Sequence, residues 1–373
     1  MTQTSEWVSP GHPDKVADAI SSRILDYCLE HDPATRFAVE CQIKDNHVCL
    51  GGEVTSNAIL DGHALAFLAR DAVERIGYTQ DYHDLWGLDN TISPRDLHVM
   101  ANIGQQSPDI AQGVDRGVGW GDQGIFWGMA TPEREFGYLP RDYYCARALG
   151  QHLYALSLQR RLPIGLDIKT QVETCDDLVR QVIVAAPCAT DSATDLLRDE
   201  ITAFVVDWRT APDFEIVVNG TGRYVRHASQ GDCGTTGRKL AVDFYGGNCR
   251  IGGGSPWTKD PSKADLTLNL LARRLALEYV LSHRECHRAV YVALSCCIGR
   301  DEVRVAFFDE RHIPIQTEHQ SISVPARAVA TELDLFQPTY FALCQSGLFS
   351  EVDRAVADVK PFDPSRPVFP SGR

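Results

Sequence analysis

No apolar run in this 373-residue sequence reaches the roughly 18 residues a membrane span needs. The opening stretch MTQTSEWVSPGHPDK has no apolar core of a secretory leader. The twelve cysteines include no Cys-x-x-Cys pair, and Cys296 and Cys297 are adjacent, a poor geometry for a mutual disulfide. Reduced thiols in a cytoplasmic setting and no structural zinc are therefore expected. His31, His63, His83 and His152 lack ligand spacing and read as surface or satisfied core. Basic residues are in deficit, 36 against 50 acidic, for a net charge of −14. That balance argues against general nucleic-acid binding, which wants a basic face. A small anion held by a local Lys/Arg cluster is still allowed. There is no Walker loop either, since GTTGRK fails its spacing.

What is present is an ordinary globular composition, 44% apolar and 23% charged, on a chain long enough for two or three domains. Near its start, SPGHPDKVADAI sets His12, Pro13, Asp14 and Lys15 side by side at the mouth of a helix. Val16, Ala17, Ile20, Ile24 and Leu25 recur at helical spacing, with Asp14 the expected N-cap. Glycine turns at Gly11, Gly121 and Gly231 repeat with a spacing of 110 residues. After each comes a hairpin, turning at 44–46, 175–177 and 299–301, and then a helix, expected over 59–77, 193–208 and 325–336. The pattern predicts an α+β fold of three similar domains, each an antiparallel or mixed sheet with helices on one face. Sheet faces left uncovered by helices would need a partner, so a homodimer is expected.

The stretch from Arg238 to Asp265 carries the strongest chemical signal. Arg238, Lys239, Lys259 and Lys263 flank two glycine-rich turns, with Asp260 and Asp265 interleaved. Glycine lets main-chain amides approach a ligand, lysine and arginine supply charge for phosphates, and nearby carboxylates suit a magnesium nucleotide.

Taken together, GHPDK, GGE, GQQSPDI, GDQG, GDCGTTGRK and GGG…KDPSKAD resemble the S-adenosylmethionine synthetases, in order over nearly the whole chain. The resemblance implies three domains around a pseudo-threefold axis. It divides the chain into repeats at 1–104, 119–228 and 229–373, with a gating loop at 105–118. It also implies sites between the subunits of a dimer, with a dimer of dimers left open, and no nucleic-acid or membrane partner. The implied substrates are ATP and L-methionine. Sulfur attacks C5′ of ATP, and the displaced triphosphate is hydrolysed to pyrophosphate and phosphate.

By the same resemblance, His12 would donate to the oxygen leaving C5′, and Lys15 would meet the phosphates. Lys169, Arg238, Lys239, Lys259 and Lys263 would surround the triphosphate. Asp14 and Asp265 would hold magnesium, and Glu40 matches a potassium-site glutamate. Asp167, Tyr224 and Asp232 would lie at the adenosine. Glu53, Gln106 and Asp122 would hold the ends of methionine, with Ile298 walling the pocket near sulfur.

The sequence departs from the family pattern in places. Pro10 replaces a glutamate, and Tyr224 a phenylalanine. Ser255-Pro256-Trp257-Thr258 replaces Ala-Phe-Ser-Gly in the phosphate loop, where proline and tryptophan would stiffen and fill it. The gating segment is shorter and the C-terminal tail lacks the usual ending. These changes leave open the same chemistry on a methionine analogue, a weakly active regulatory paralogue, or a triphosphatase with no sulfur substrate.

Overall fold

A computed structural model describes residues 2–87, 89–105, 119–176, 178–283, 287–317 and 320–349. Alternating strands with one apolar face form three sheets. In β2 (Arg36–Lys44) the residues Phe37, Val39, Cys41 and Ile43 are buried, while Glu40, Gln42 and Lys44 face out. It forms a hairpin with β3 (His47–Thr55) around Asp45, which takes a left-handed φ of 51°. A second hairpin joins β6 (Lys169–Cys175) to β7 (Leu178–Ala185) through Asp176, at φ 48°. β10 (Val290–Cys296) and β11 (Glu302–Phe308) make the third. The turns lie where the sequence predicts them; Asp177 is outside the described residues.

Each of the first two hairpins continues through a helix into a parallel third strand. α2 (Gly62–Ile76), capped by Asp61, leads to β4 (His98–Gly104) beside β3. α4 (Asp191–Phe204), capped by Thr190, leads to β8 (Thr210–Val218) beside β7. In the third sheet two short antiparallel strands on β11 take that place, and the expected third helix spans Ala326–Glu332.

The fourth strand of each sheet comes from a different part of the chain. β1 (Thr2–Val8) pairs with β6, β5 (Gly124–Ala130) with β10, and the short β9 (Gly234–Thr235) with β2. Each of these strands leads into a long helix: α1 (Pro13–His31), α3 (Arg141–Leu158) and α5 (Ala264–Ser282). The repeat is thus strand, long helix, hairpin, with the first strand given to the next unit's sheet and the last unit closing back on the first. The long helices start 128 and 123 residues apart, at Pro13, Arg141 and Ala264. The 110-residue glycine period is therefore not the structural one. Gly11 follows its strand, whereas Gly121 and Gly231 precede theirs.

α1 and α5 each bury 15 of 19 residues, so they are largely interior helices, and their few less buried residues are confined to the C-terminal half. That is why sequence periodicity does not reveal α5. The fold also corrects the first cap. His12, not Asp14, is the N-cap of α1, because Pro13 fills N1, where no amide hydrogen is needed.

The exchanged strands pack tightly on the long helices. A Cβ on Gly150 of α3 would lie 2.1 Å from the Trp7 ring of β1. Gly150→Ala should therefore cost about 1–3 kcal/mol by overpacking, against the roughly 1 kcal/mol that alanine gains over glycine in a helix. The expected readout is a lower urea midpoint, and an unchanged or higher one would contradict this packing.

Candidate active site

Seven of the site residues predicted from sequence fall into two clusters held by hydrogen bonds and ion pairs: His12, Asp14, Arg238 and Lys239 in one, and Lys259, Lys263 and Asp265 in the other. The first is built on the mouth of α1. Backbone packing brings the loop of β9 against it, since a Cβ on Gly234 would meet the Pro13 carbonyl oxygen at 2.0 Å. This close approach lets Thr235 donate its amide to Asp14 Oδ1 at 2.9 Å, while Lys239 Nζ reaches Asp14 Oδ2 at 2.6 Å. Arg238 lies 3.7 Å from the same carboxylate with its side chain half exposed. Burial pulls the Asp14 carboxyl up, but the bonds from Lys239 and Thr235 outweigh it and hold it below the usual range.

His12 caps the helix with its ring. Its Nδ1 accepts the Asp14 amide at 3.2 Å. Burial, with Lys239 nearby, pushes the imidazole pKa down to about 3, so the ring is neutral at pH 7. With Nδ1 an acceptor, the ring proton sits on Nε2, leaving a neutral donor free for a ligand. Lys169, at the start of β6, pairs with Glu6 at 2.7 Å and adds positive potential at His12.

Asp167, just before β6, is buried and accepts the Ala228 amide at 2.9 Å. Burial raises its pKa to about 6, and the Tyr224 phenol hydrogen-bonds to it. Burial and Asp167 together raise the Tyr224 pKa. Asp232 is exposed at the end of the short helix Ala228–Gly231 and accepts the Cys233 amide at 2.8 Å.

The second cluster sits at the start of α5. Asp265 accepts the Gly254 amide on one oxygen and Lys259 Nζ on the other, each at 2.5 Å. Lys263 is the N-cap residue. Its buried Nζ lies 4.0 Å from Asp260 and has no hydrogen-bond partner among the described residues. Lys259 bridges to Ala38 of β2, whose partner on β3 is Glu53, a half-buried residue. Asp122 is exposed beside β5, and its carbonyl accepts Cys296 Sγ–H at 3.4 Å. Ile298 bridges to Trp120 and is 46% exposed. Gln106 and residues 106–118 of the expected gating loop lie outside the described residues.

Lys15, expected from sequence to meet the phosphates, instead points into the interior. It is buried behind the first cluster, with Nζ 2.7 Å from Asp243, 3.1 Å from Asp18 and 4.4 Å above the Trp257 ring. Burial opposes its charge, yet Asp243 and the other acidic groups around it raise its pKa well above normal. Asp18 Oδ1 accepts the Gly237 amide at 2.9 Å, and Asp243 Oδ2 accepts Trp257 Nε1–H at 2.8 Å. The buried lysine therefore ties α1 to both basic loops. Trp257 fills the phosphate loop, as its sequence suggests. Glu40 joins the loops as well, accepting hydroxyls from Thr236 and from Thr258, the latter at 3.1 Å. Asp18, Asp243 and Thr236 were not singled out from sequence. The available signal was Asp18, an acidic residue one turn after Asp14 among the helical apolar positions Val16, Ala17 and Ile20.

Among the described residues, no group of three or more His, Cys, Asp or Glu could hold a metal by itself. Magnesium commonly takes one or two carboxylates and fills its shell with substrate phosphates and water. Asp14 and Asp265, one in each cluster and each beside a lysine, fit that mode.

Three strand-sharing α+β units set lysine–carboxylate clusters on glycine turns, an arrangement whose chemistry suits a polyphosphate ligand. The chain belongs to the S-adenosylmethionine synthetase family. Residues 1–108 match the S-adenosylmethionine synthetase N-terminal domain and 227–357 the C-terminal domain. It is 33% identical to an S-adenosylmethionine synthase of Wolinella succinogenes, over 93% of this chain and 92% of that one. Its fold resembles an S-adenosylmethionine synthetase of Campylobacter jejuni described as unusual. The TM-score is 0.79 at 29% identity, covering 93% of this chain and 94% of the other.

Lys15→Met should leave Asp18 and Asp243 buried without their cation and destabilise the fold by about 3–5 kcal/mol. Adding Asp18→Asn and Asp243→Asn should recover part of that loss, as read by chemical denaturation. A Lys15→Met variant as stable as the parent would contradict this arrangement.

Proposed function

We propose that the two clusters act together to transfer the adenosyl group of ATP to the sulfur of L-methionine. The chain synthesises S-adenosylmethionine from these substrates, and its residues offer what the reaction demands. A thioether is already nucleophilic, so no covalent enzyme intermediate is required. Rate comes from placing sulfur in line with C5′ and stabilising charge on the departing triphosphate.

His12 Nε2–H donates to the oxygen leaving C5′; its cap geometry is the observation that carries the reading. Lys169, Arg238 and Lys239 meet the triphosphate from the first cluster, and Lys259 and Lys263 from the second. The buried Lys263 ammonium supports this, because a phosphate oxygen would satisfy a donor that has no hydrogen-bond partner among the described residues. Lys15 acts behind the phosphates, holding the loops. Asp167 and Asp232 accept from the ribose hydroxyls, with Tyr224 against the adenine. Glu53 and Asp122, with Gln106, hold the ends of methionine, and Ile298 walls the sulfur. The two carboxylates also favour the cationic sulfonium product.

Asp14 and Asp265 would hold magnesium, which would supply charge neutralisation for the phosphates. Glu40, fixed on the outer face of β2 by the Thr236 and Thr258 hydroxyls, would hold potassium. The triphosphate is then hydrolysed to pyrophosphate and phosphate. Ile298, Asp122 and the outer faces of the sheets are exposed, which supports a homodimer in which the first cluster of one chain meets the second cluster of its partner.

The test is mass spectrometry of the products from ATP, magnesium, potassium and methionine. S-adenosylmethionine is expected, and His12→Ala should lower its rate by about 10²–10³ with methionine KM little changed. Phosphate release without a sulfonium product would contradict the assignment.

A further inference from the structure

A cavity of about 720 Å³ lies next to Asp167 and Tyr224, between the end of α3 and the helix Gln80–Trp86. Its walls are mainly apolar, including Trp86, Leu158 and Leu162, and Leu85 stands exposed at its edge. Two arginines, Arg160 and Arg223, are also among its lining residues, both exposed. Among the described residues neither makes a side-chain ion pair or hydrogen bond. Arg160 is held at a left-handed φ of 55° by the turn that closes α3, in which its amide donates to Ser157 and that of Arg161 to Leu156. A non-glycine residue kept in that region costs of order 1 kcal/mol, so its direction is imposed by the surroundings.

The cavity does not include Asp167 or Tyr224 but is walled by their chain neighbours. Arg223 and Val225 line it, whereas Tyr224 between them bonds to Asp167. Tyr82 forms part of the lining, and its hydroxyl accepts the Leu166 amide at 3.0 Å and pairs with His227 Nε2 at 2.7 Å. An apolar chamber of this size with a few convergent polar groups has the make-up of a small-molecule site. Unpaired arginines select for an anion.

We propose that this cavity is a second ligand site, for a small amphipathic anion. An apolar or planar body would rest on Trp86 and the leucines, and a carboxylate, sulfonate or phosphate would meet Arg160 and Arg223. No bond is made or broken there. The site is independent of the reading given to the first cluster, because its lining residues lie outside both clusters.

The probe is 8-anilinonaphthalene-1-sulfonate, titrated by fluorescence into the full-length protein. Expected is saturable binding at one probe per chain, with that capacity unchanged by saturating ADP. The exposed Arg160→Glu/Arg223→Glu variant should weaken it by about tenfold or more while leaving S-adenosylmethionine synthesis in place. The uncharged N-phenyl-1-naphthylamine should bind at least about tenfold more weakly, for the same reason. No saturable component, equal binding of the uncharged probe, equal binding by the variant, or loss of the site on adding ADP would each overturn the proposal.

Discussion

The placement of both clusters depends on one buried cation. Lys15 sits in the interior between Asp18 and Asp243, with the Trp257 ring beneath it. A charge in that position is tolerated only when its partners are fixed and their remaining valences are filled. The remaining oxygens are filled by groups from the loops themselves: the Gly237 amide on Asp18 and the Trp257 indole on Asp243. Satisfying the lysine therefore sets where Arg238 and Lys239 begin and where Lys259 follows. Glu40 repeats the tie one layer out, through Thr236 and Thr258.

The cyclic exchange of strands supplies the frame for that hub. Because β9 belongs to the sheet of β2, the loop that carries Arg238 and Lys239 is fastened to the unit that carries His12 and Asp14. Because β5 belongs to the sheet of β10, Asp122 and Ile298 are brought to neighbouring ends of adjacent strands. The first cluster joins two distant stretches of chain, whereas the second lies within residues 254–265 and is fastened to β2 through Ala38 and Lys259. A change in a distant strand can therefore reach the site through a sheet ladder.

Much of this was legible in the sequence where local rules decide. The hairpins declared themselves through alternation and polar turns, and α2 and α4 through periodic apolar residues behind Asp61 and Thr190. The basic glycine loops announced phosphate chemistry by composition alone. α5 did not show itself, because a helix buried on nearly all sides has no polar face to give contrast. The exchanged strands are set by pairings more than a hundred residues apart, which no local pattern records. Lys15 was misplaced for a related reason. A lysine beside His12 and Asp14 suggests a ligand, and only the fold reveals two carboxylates waiting behind it. The equal spacing of the three glycine turns was accidental, since they occupy different points of the structural repeat.

The central claim is that a working site joins the first cluster of one chain to the second cluster of another. Mixed refolding of Lys239→Ala chains with Lys259→Ala chains tests it most directly. Heterodimers should regain one intact site of two, so a mixture of two nearly inactive variants should recover about a quarter of parental S-adenosylmethionine synthesis. Activity no higher than that of either variant alone, in a mixture shown to contain heterodimers, would contradict a shared site.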